Sequence, residues 1–410
     1  MTMIEYGLLG ETLGHSFSPA LHRAFGSYDY HLLPTPRDQL EELFEKRQFR
    51  GLNVTMPYKQ AVIPLCDEID ERAAQIGAVN TVVNRNGWLV GYNTDIDGLL
   101  FMARHRGIEM RGKKVLILGS GGTSRTATAA ARECDARETV IISRSGENTY
   151  ENLSRHADAE IIINTTPVGM FPHCGQSPID LSQFPKLTGV LDAVYNPLRT
   201  ALFMQAEHLG IPCSCGLPML TAQAKRACEL FTDTQLSDDR TEEVLSALHR
   251  DLENIVLIGM PGCGKSTIAA ALGENTGREV VDIDEMIVQR AHLSTSEIFA
   301  VHGEEYFRAL ESECIREVGA RTGIIISTGG GCVTRAENYA PLHQNGYIVH
   351  LTRDLAHLPT EGRPISQRTG LAALWAQRKD QYAAFADAVV DNNGTLEQTL
   401  SHLEKELSKR

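Results

Sequence analysis

From about residue 113 the chain alternates between two hydrophobic periods. "KVLILG" (114–119) is a continuous apolar run, and a helical pattern follows it to about Arg132. Further apolar runs come at "TVIIS" (139–143), "AEIIINTT" (159–166) and "GVLDAVY" (189–195), with a helical stretch between Leu198 and Leu209. Short apolar strands separated by helices predict a parallel sheet covered on both faces. Residues 1–98 mix shorter strand and helix patterns. The stretch 233–253 is polar and charged and reads as a partly helical linker. After it "NIVLIG" (254–259) restarts the alternation, so a second α/β unit is expected over 254–410.

Composition narrows the class. The chain has 410 residues, 42% hydrophobic, which implies more than one folded domain. The net charge of −13 and the lack of a basic run argue against a nucleic-acid partner. No apolar run reaches the roughly 18 residues of a membrane span, and the N-terminus lacks a secretory pattern. Nine scattered cysteines suit reduced thiols in the cytoplasm. Small-molecule substrates are therefore expected, with no nucleic acid and no membrane. The oligomeric state is not set by these features.

Two glycine loops carry the chemistry. In "GSGGTSR" (119–125), Gly119 closes a strand, Gly121 lets the backbone approach a phosphate, and a helix starts after Gly122. Amides at that helix start, with Ser120 and Thr123, face an anion. Ser124 stands in place of the third glycine of G-x-G-x-x-G and is small enough for close packing. A site for NAD places an acid at the end of the next strand to hold the ribose 2′-hydroxyl. Here that strand ends Ser143-Arg144-Ser145, with no carboxylate. A guanidinium suits a 2′-phosphate, so the loop reads as binding NADP(H).

The second loop, "GMPGCGKST" (259–267), fits G-x-x-x-x-G-K-[ST] between a strand and a helix. Backbone amides across Gly262, Cys263, Gly264 and Thr267 would wrap the phosphates of ATP. Lys265 would reach the β- and γ-phosphates, and Ser266 would ligate Mg²⁺. "VVDIDEM" (280–286) ends the next strand, where a period of two would put Asp282 and Asp284 on one face. One of them would serve the metal and the other a substrate hydroxyl. Arg308 and Arg378 supply local cations for an anionic acceptor, Arg363 is expected in a loop, and glycines 329–331 permit close ligand approach.

Ordered motifs over 1–230 resemble the shikimate dehydrogenase family. They are S-x-S at Ser16 and Ser18, N-V-T-x-P-x-K from Asn53 to Lys59, A-V-N-T at Asn80, and N-T-D at Asp95. "GSGGTSR", "NTTPVGM", "VYNPLRT" and "MLTAQA" continue the series. The resemblance implies NADPH-dependent reduction of 3-dehydroshikimate. Ser16 and Ser18 would hold the substrate carboxylate, and Asn53, Thr55, Asn80, Tyr195 and Gln223 its ring oxygens. Lys59 and Asp95 would be the catalytic pair, and Gly216 would lie by the nicotinamide. It implies an α/β substrate domain over 1–98, completed by a helix near 217–232, and a Rossmann domain over 99–216. The chain departs from the family's common Asn-Arg-Thr at 143–145, and has Pro218 where glycine is usual.

Residues 254–410 resemble the shikimate kinase family, through the phosphate loop, D-x-D, F-R-x-x-E, G-G-G, G-R-P and a late R-x-x-x-Y. This implies a P-loop fold like that of nucleoside-monophosphate kinases. Asp284, Arg308, Gly329, Gly330, Gly331 and Arg378 would bind shikimate. Lys265, Asp284 and Arg363 would be catalytic, Arg363 would also contact ATP, and Ser266 and Asp282 would hold Mg²⁺. The lid between Leu351 and Arg363 is shorter than in many relatives. The competing readings are a quinate-type dehydrogenase joined to another small-molecule kinase, or one half serving only to bind.

Overall fold

A computed structural model describes residues 4–14, 16–359 and 369–409. The chain folds as two compact units. The first comprises Met1–Met170, Gln176–Tyr195 and Leu202–Ala247, and the second Phe171–Gly175, Asn196–Ala201 and Leu248–Arg410.

The first unit holds two sheets. One contains β1 (Ile4–Gly10), β2 (Tyr30–Pro34), β3 (Phe49–Val54), β4 (Glu68–Ile69), β5 (Thr81–Arg85) and β6 (Trp88–Tyr92), in the order β2-β1-β3-β5-β6-β4. β5 pairs antiparallel with β3 and β6, and the other pairings are parallel. The mixed direction explains why no clean alternation was legible over these residues. The second sheet contains β7 (Lys114–Leu118), β8 (Glu138–Ile142), β9 (Ile161–Asn164), β10 (Gly189–Asp192) and β11 (Cys213–Ser214). It is parallel throughout, in the order β11-β10-β9-β7-β8. β7, β9 and β10 are buried at every position because apolar side chains cover both faces. On one face Val115, Ile117, Ile161 and Ile163 pack with Ala127 and Ala130. On the other, Leu116, Leu118 and Ile162 pack with Leu153 and Leu202. The α/β class and the parallel strand runs expected from the sequence are thus present.

Helix Asp95–His105 packs on helix Leu217–Thr232 at Gly98, where a Cβ would overlap the Met219 carbonyl. That contact sets the N-terminal end of the first helix, and hence Asp95, within the unit. The polar stretch 233–253 is mostly helix (Asp238–Leu252), with Thr241, Val244 and Leu245 buried.

The second unit has one parallel sheet. Its strands are β12 (Asn254–Ile258), β13 (Val280–Asp282), β14 (Ile325–Ser327), β15 (Gly346–Thr352) and β16 (Ala388–Asp391), in the order β13-β14-β12-β15-β16. Its core joins Ile255, Leu257, Ile268, Leu272, Ile315 and Ile326. One expectation fails here. The strand ends at Asp282, and Asp284 lies in the first turn of helix Ile283–Ala291. Asp282 caps that helix through its carboxylate, so a period of two does not relate the two aspartates.

Candidate active sites

In the first unit Lys59 Nζ donates to Asp95 Oδ2 at 2.6 Å. Asn80 Nδ2 donates to the other oxygen, Oδ1, at 2.9 Å. The Asp95 N–H is held by Asn93 Oδ1 at 3.1 Å, and the Lys59 carbonyl by the Val79 N–H at 2.8 Å. Both partners of the pair are therefore fixed at main chain and side chain. The side chains remain 24% and 13% exposed, which leaves a route for proton exchange with water.

Further polar side chains surround this pair. Asn53 Nδ2 donates to Thr81 Oγ1 at 3.0 Å, and the Thr81 hydroxyl donates to Asn80 Oδ1 at 3.1 Å. Tyr30 donates to Asn53 Oδ1 at 2.7 Å. Burial pushes the Tyr30 phenol well above its usual value and keeps it protonated. Ser16 Oγ lies 3.2 Å from Ser18 Oγ at the start of helix Ser18–Phe25. The Tyr195 ring packs edge-on against Phe17, between the two serines in sequence. Thr55 is pinned by its N–H to the Leu9 carbonyl at 2.9 Å. Gln223 lies on helix Leu217–Thr232, against Gly98. Tyr30 joins this network without any sequence motif to mark it, and Thr81 and Thr94 join it from within the A-V-N-T and N-T-D motifs.

The nucleotide loop of the first unit follows β7. Gly119 has φ +102°, and a Cβ there would lie 2.9 Å from Thr165 Oγ1. At Gly121 and Gly122 a Cβ would meet nothing, so the helix start is open to a ligand. Ser124 is buried, as its place in the motif requires. Ser143 hydrogen-bonds the Ser145 carbonyl and shapes the turn after β8. Arg144 is exposed and, among the described residues, makes no ion pair. An open amide-lined turn beside a free guanidinium fits a phosphorylated dinucleotide. Gly216 sits where a Cβ would overlap the Ala193 carbonyl, and its N–H donates to Val194 at 2.9 Å.

In the second unit a cavity of about 810 Å³ gathers Gly262, Gly264, Lys265, Ser266, Thr267, Asp284, Arg308, Gly329, Gly330, Gly331 and Arg378. Thr328 beside the glycine run, Arg353 and His357 from the lid segment, and Phe299, which no motif marks, also line it. Cys263 is fully buried beneath the loop, so only its main chain is available to a nucleotide. Lys265 Nζ donates to the carbonyls of Gly259 and Met260 at 3.0 and 3.1 Å. Ser266 Oγ donates to Asp282 Oδ2 at 2.7 Å, and Ser327 Oγ donates to the same oxygen at 2.9 Å. Ser327 reaches it because β13 and β14 pair in register at Asp282 and Ser327. This all-oxygen set suits Mg²⁺, a hard cation. Arg363 lies outside the described residues.

Arg308 and Glu311 form a sealed pair in the cavity wall, with Nη1 to Oε2 at 2.7 Å and side-chain exposures of 7% and 0%. Burial pushes the Glu311 carboxyl above its usual range, and Arg308 pulls against that shift. A Cβ at Gly331 would overlap the Arg308 guanidinium, and one at Gly329 would overlap Glu311 and crowd Asp284. The glycines therefore leave room for these charges at the cavity. Arg378 Nη1 and Tyr382 OH both donate to the Gly330 carbonyl, at 3.0 and 2.5 Å.

The shikimate dehydrogenase substrate binding domain profile matches residues 8–82, and the shikimate kinase profile matches residues 261–408. A shikimate dehydrogenase (NADP(+)) of Halothermothrix orenii is 38% identical over 259 residues, covering 55% of this chain and 90% of the relative. The structure of shikimate 5-dehydrogenase from Thermus thermophilus with NADP(H) and shikimate aligns at TM-score 0.54 and 32% identity, over 60% of this chain and 99% of that one. Quinate dehydrogenase from Corynebacterium glutamicum with NAD aligns at TM-score 0.55 and 30% identity, over 60% and 99%. The chain belongs to the shikimate dehydrogenase family and carries a shikimate kinase domain C-terminal to it, joining two enzymes of the shikimate pathway in one polypeptide.

Proposed function

We propose that both halves turn over: the first reduces 3-dehydroshikimate to shikimate with NADPH, and the second phosphorylates shikimate with ATP and Mg²⁺. Bound NADPH supplies a hydride, bound ATP a phosphoryl group, and Mg²⁺ neutralises phosphate charge. Lys59, as an ammonium, stabilises the oxyanion that develops on the reduced carbonyl and donates its proton there. Asp95 accepts from Lys59 and aims it at that oxygen. Ser16 and Ser18 hold the substrate carboxylate, and Asn53, Thr55, Asn80, Tyr195 and Gln223 the ring oxygens. Arg144, with Ser143 and Ser145, reads the 2′-phosphate, and Gly216 leaves space by the nicotinamide.

In the second unit Arg308 and Arg378 hold the acceptor's carboxylate. Asp284 accepts or orients the proton of the attacking hydroxyl. Lys265 leaves its loop carbonyls for the phosphates and, with Arg363, spreads the transferring charge. Ser266 and Asp282 hold Mg²⁺, with Ser327 beside them. We assign the reductase to 1–98, 217–232 and the Rossmann domain 99–216, and the kinase to 254–410, with a cytoplasmic location.

The observation that carries this reading is the Lys59–Asp95 contact at 2.6 Å, which joins two separate motifs into one proton-transfer pair. Separate assays with dehydroshikimate plus NADPH, and with shikimate plus ATP, test it. Turnover in both supports it, and a silent half overturns it for that half.

A further inference from the structure

The phosphate loop of the second unit is held from a side that no motif marks. Asn392 stands just after β16 with its side chain buried. Its Nδ2 donates to the Cys263 carbonyl at 2.6 Å, and its Oδ1 accepts from the Thr399 hydroxyl at 2.7 Å. The orientation of this amide is settled by chemistry. A main-chain carbonyl only accepts, so the nitrogen must face Cys263. The Asn392 N–H donates to the Thr352 carbonyl at 2.8 Å, which anchors the residue to β15.

The Cys263 carbonyl belongs to the peptide that joins Cys263 to Gly264. In a trans peptide the C=O and the next N–H point in opposite directions. Holding this carbonyl at Asn392 therefore turns the Gly264 N–H the other way. Gly264 lines the cavity and Asn392 does not. Gly264 has φ +100°, and a Cβ there would lie 2.6 Å from Asn392 Nδ2, so only glycine admits the clamp.

A contrast within the loop supports a role in ligand binding. The carbonyls of Gly259 and Met260 are held by Lys265, an ammonium that phosphates attract away. The Cys263 carbonyl is held by a neutral amide, which has no charge to answer the phosphates. We infer that Asn392 is a positioning residue for the nucleotide: by fixing the Cys263 carbonyl it aims the Gly264 N–H at the β-phosphate, with Thr399 setting the amide. This rests on the kinase reading of the cavity.

The test compares ADP and AMP binding to the full chain by calorimetry in Mg²⁺. Asn392→Ala should weaken ADP about tenfold and AMP less than about twofold, since only ADP carries the β-phosphate. Thr399→Val, which removes the hydroxyl that holds Asn392 Oδ1 but keeps the Asn392 amide donor to Cys263, should give a smaller loss with the same preference. Unchanged ADP affinity in both variants, or equal losses for ADP and AMP, would overturn the clamp. If Asn392→Ala unfolds the second unit, Thr399→Val alone decides by the same criterion. The readout is binding, so the clamp and the phosphotransfer reading can fail separately: nucleotide selectivity tests the first, and shikimate phosphorylation by the unaltered chain tests the second.

Discussion

Each unit places a cation–carboxylate pair at its site, and the two pairs differ in access and in chemistry. Lys59 and Asp95 meet at 2.6 Å with 24% and 13% of their side chains exposed. Arg308 and Glu311 meet at 2.7 Å with 7% and 0% exposed. A lysine ammonium can release a proton and regain it from water. A guanidinium keeps its charge under all working conditions. Reduction of a carbonyl needs a proton delivered, and a lysine left partly open suits that task. Binding an anionic acceptor needs a charge of fixed direction, and an arginine sealed in the wall suits that one. Under the proposed function the same contact thus serves proton transfer in one unit and positioning in the other.

The largest expected effect separates these roles. Lys59→Ala should lower dehydrogenase kcat by about 10²–10⁴-fold and leave the kinase unchanged. Lys59→Arg keeps the charge but cannot give up the proton, so it should lose nearly as much. Steady-state kinetics on both variants check this. Substantial activity in Lys59→Arg would reduce the pair to electrostatics and erase the contrast.

Glu311→Gln addresses the sealed pair. Arg308 would keep a hydrogen-bond partner but lose its buried counter-charge. We expect about 3 kcal/mol less stability in the second unit, read by denaturant unfolding, with the first unit unaffected. A change under about 0.5 kcal/mol would show that the pair is solvated.

Acid should weaken both units alike. Burial lowers His22 in the first unit to about 3 and His350 in the second to about 4, the latter helped by Lys265. Both stand neutral in the fold, while the unfolded chain takes up protons near pH 6.5. Their stability contribution is complete above about pH 6.5 and is lost as pH falls toward the folded values. At about pH 5 each unit should have lost about 2 kcal/mol from its histidine. Melting scans at about pH 7.5 and about pH 5 measure this, and His22→Gln should flatten the dependence in the first unit only. A pH-independent melt would contradict it.

The smallest effect concerns an exposed cation. Arg144→Asp should raise the KM for NADPH about tenfold (~1.4 kcal/mol) relative to its effect on NADH. Equal effects on both cofactors would mean that Arg144 does not read the 2′-phosphate.

The parallel sheets were legible because strands buried on both faces read as continuous apolar runs, as in "KVLIL" and "NIVLI". The glycine loops were legible because their spacing carries their geometry. Asp284 was misplaced because Ile283 sits between two aspartates as it would in a strand, while the Asp282 carboxylate caps a helix there. Ser327 was invisible because its place beside Asp282 comes from strand register between segments 45 residues apart. Tyr30 and Asn392 were invisible for the same reason. Their partners are remote in sequence, and a lone Tyr or Asn has no spacing to betray it.

The most direct test supplies the purified chain with 3-dehydroshikimate, NADPH, ATP and Mg²⁺ and follows the products with time. The account predicts shikimate 3-phosphate from the unaltered chain and accumulation of shikimate from Lys265→Ala. Lys59→Ala should yield product from added shikimate but none from dehydroshikimate. Loss of both activities in either variant, or no phosphorylated product from the unaltered chain, would contradict two independent sites in one polypeptide.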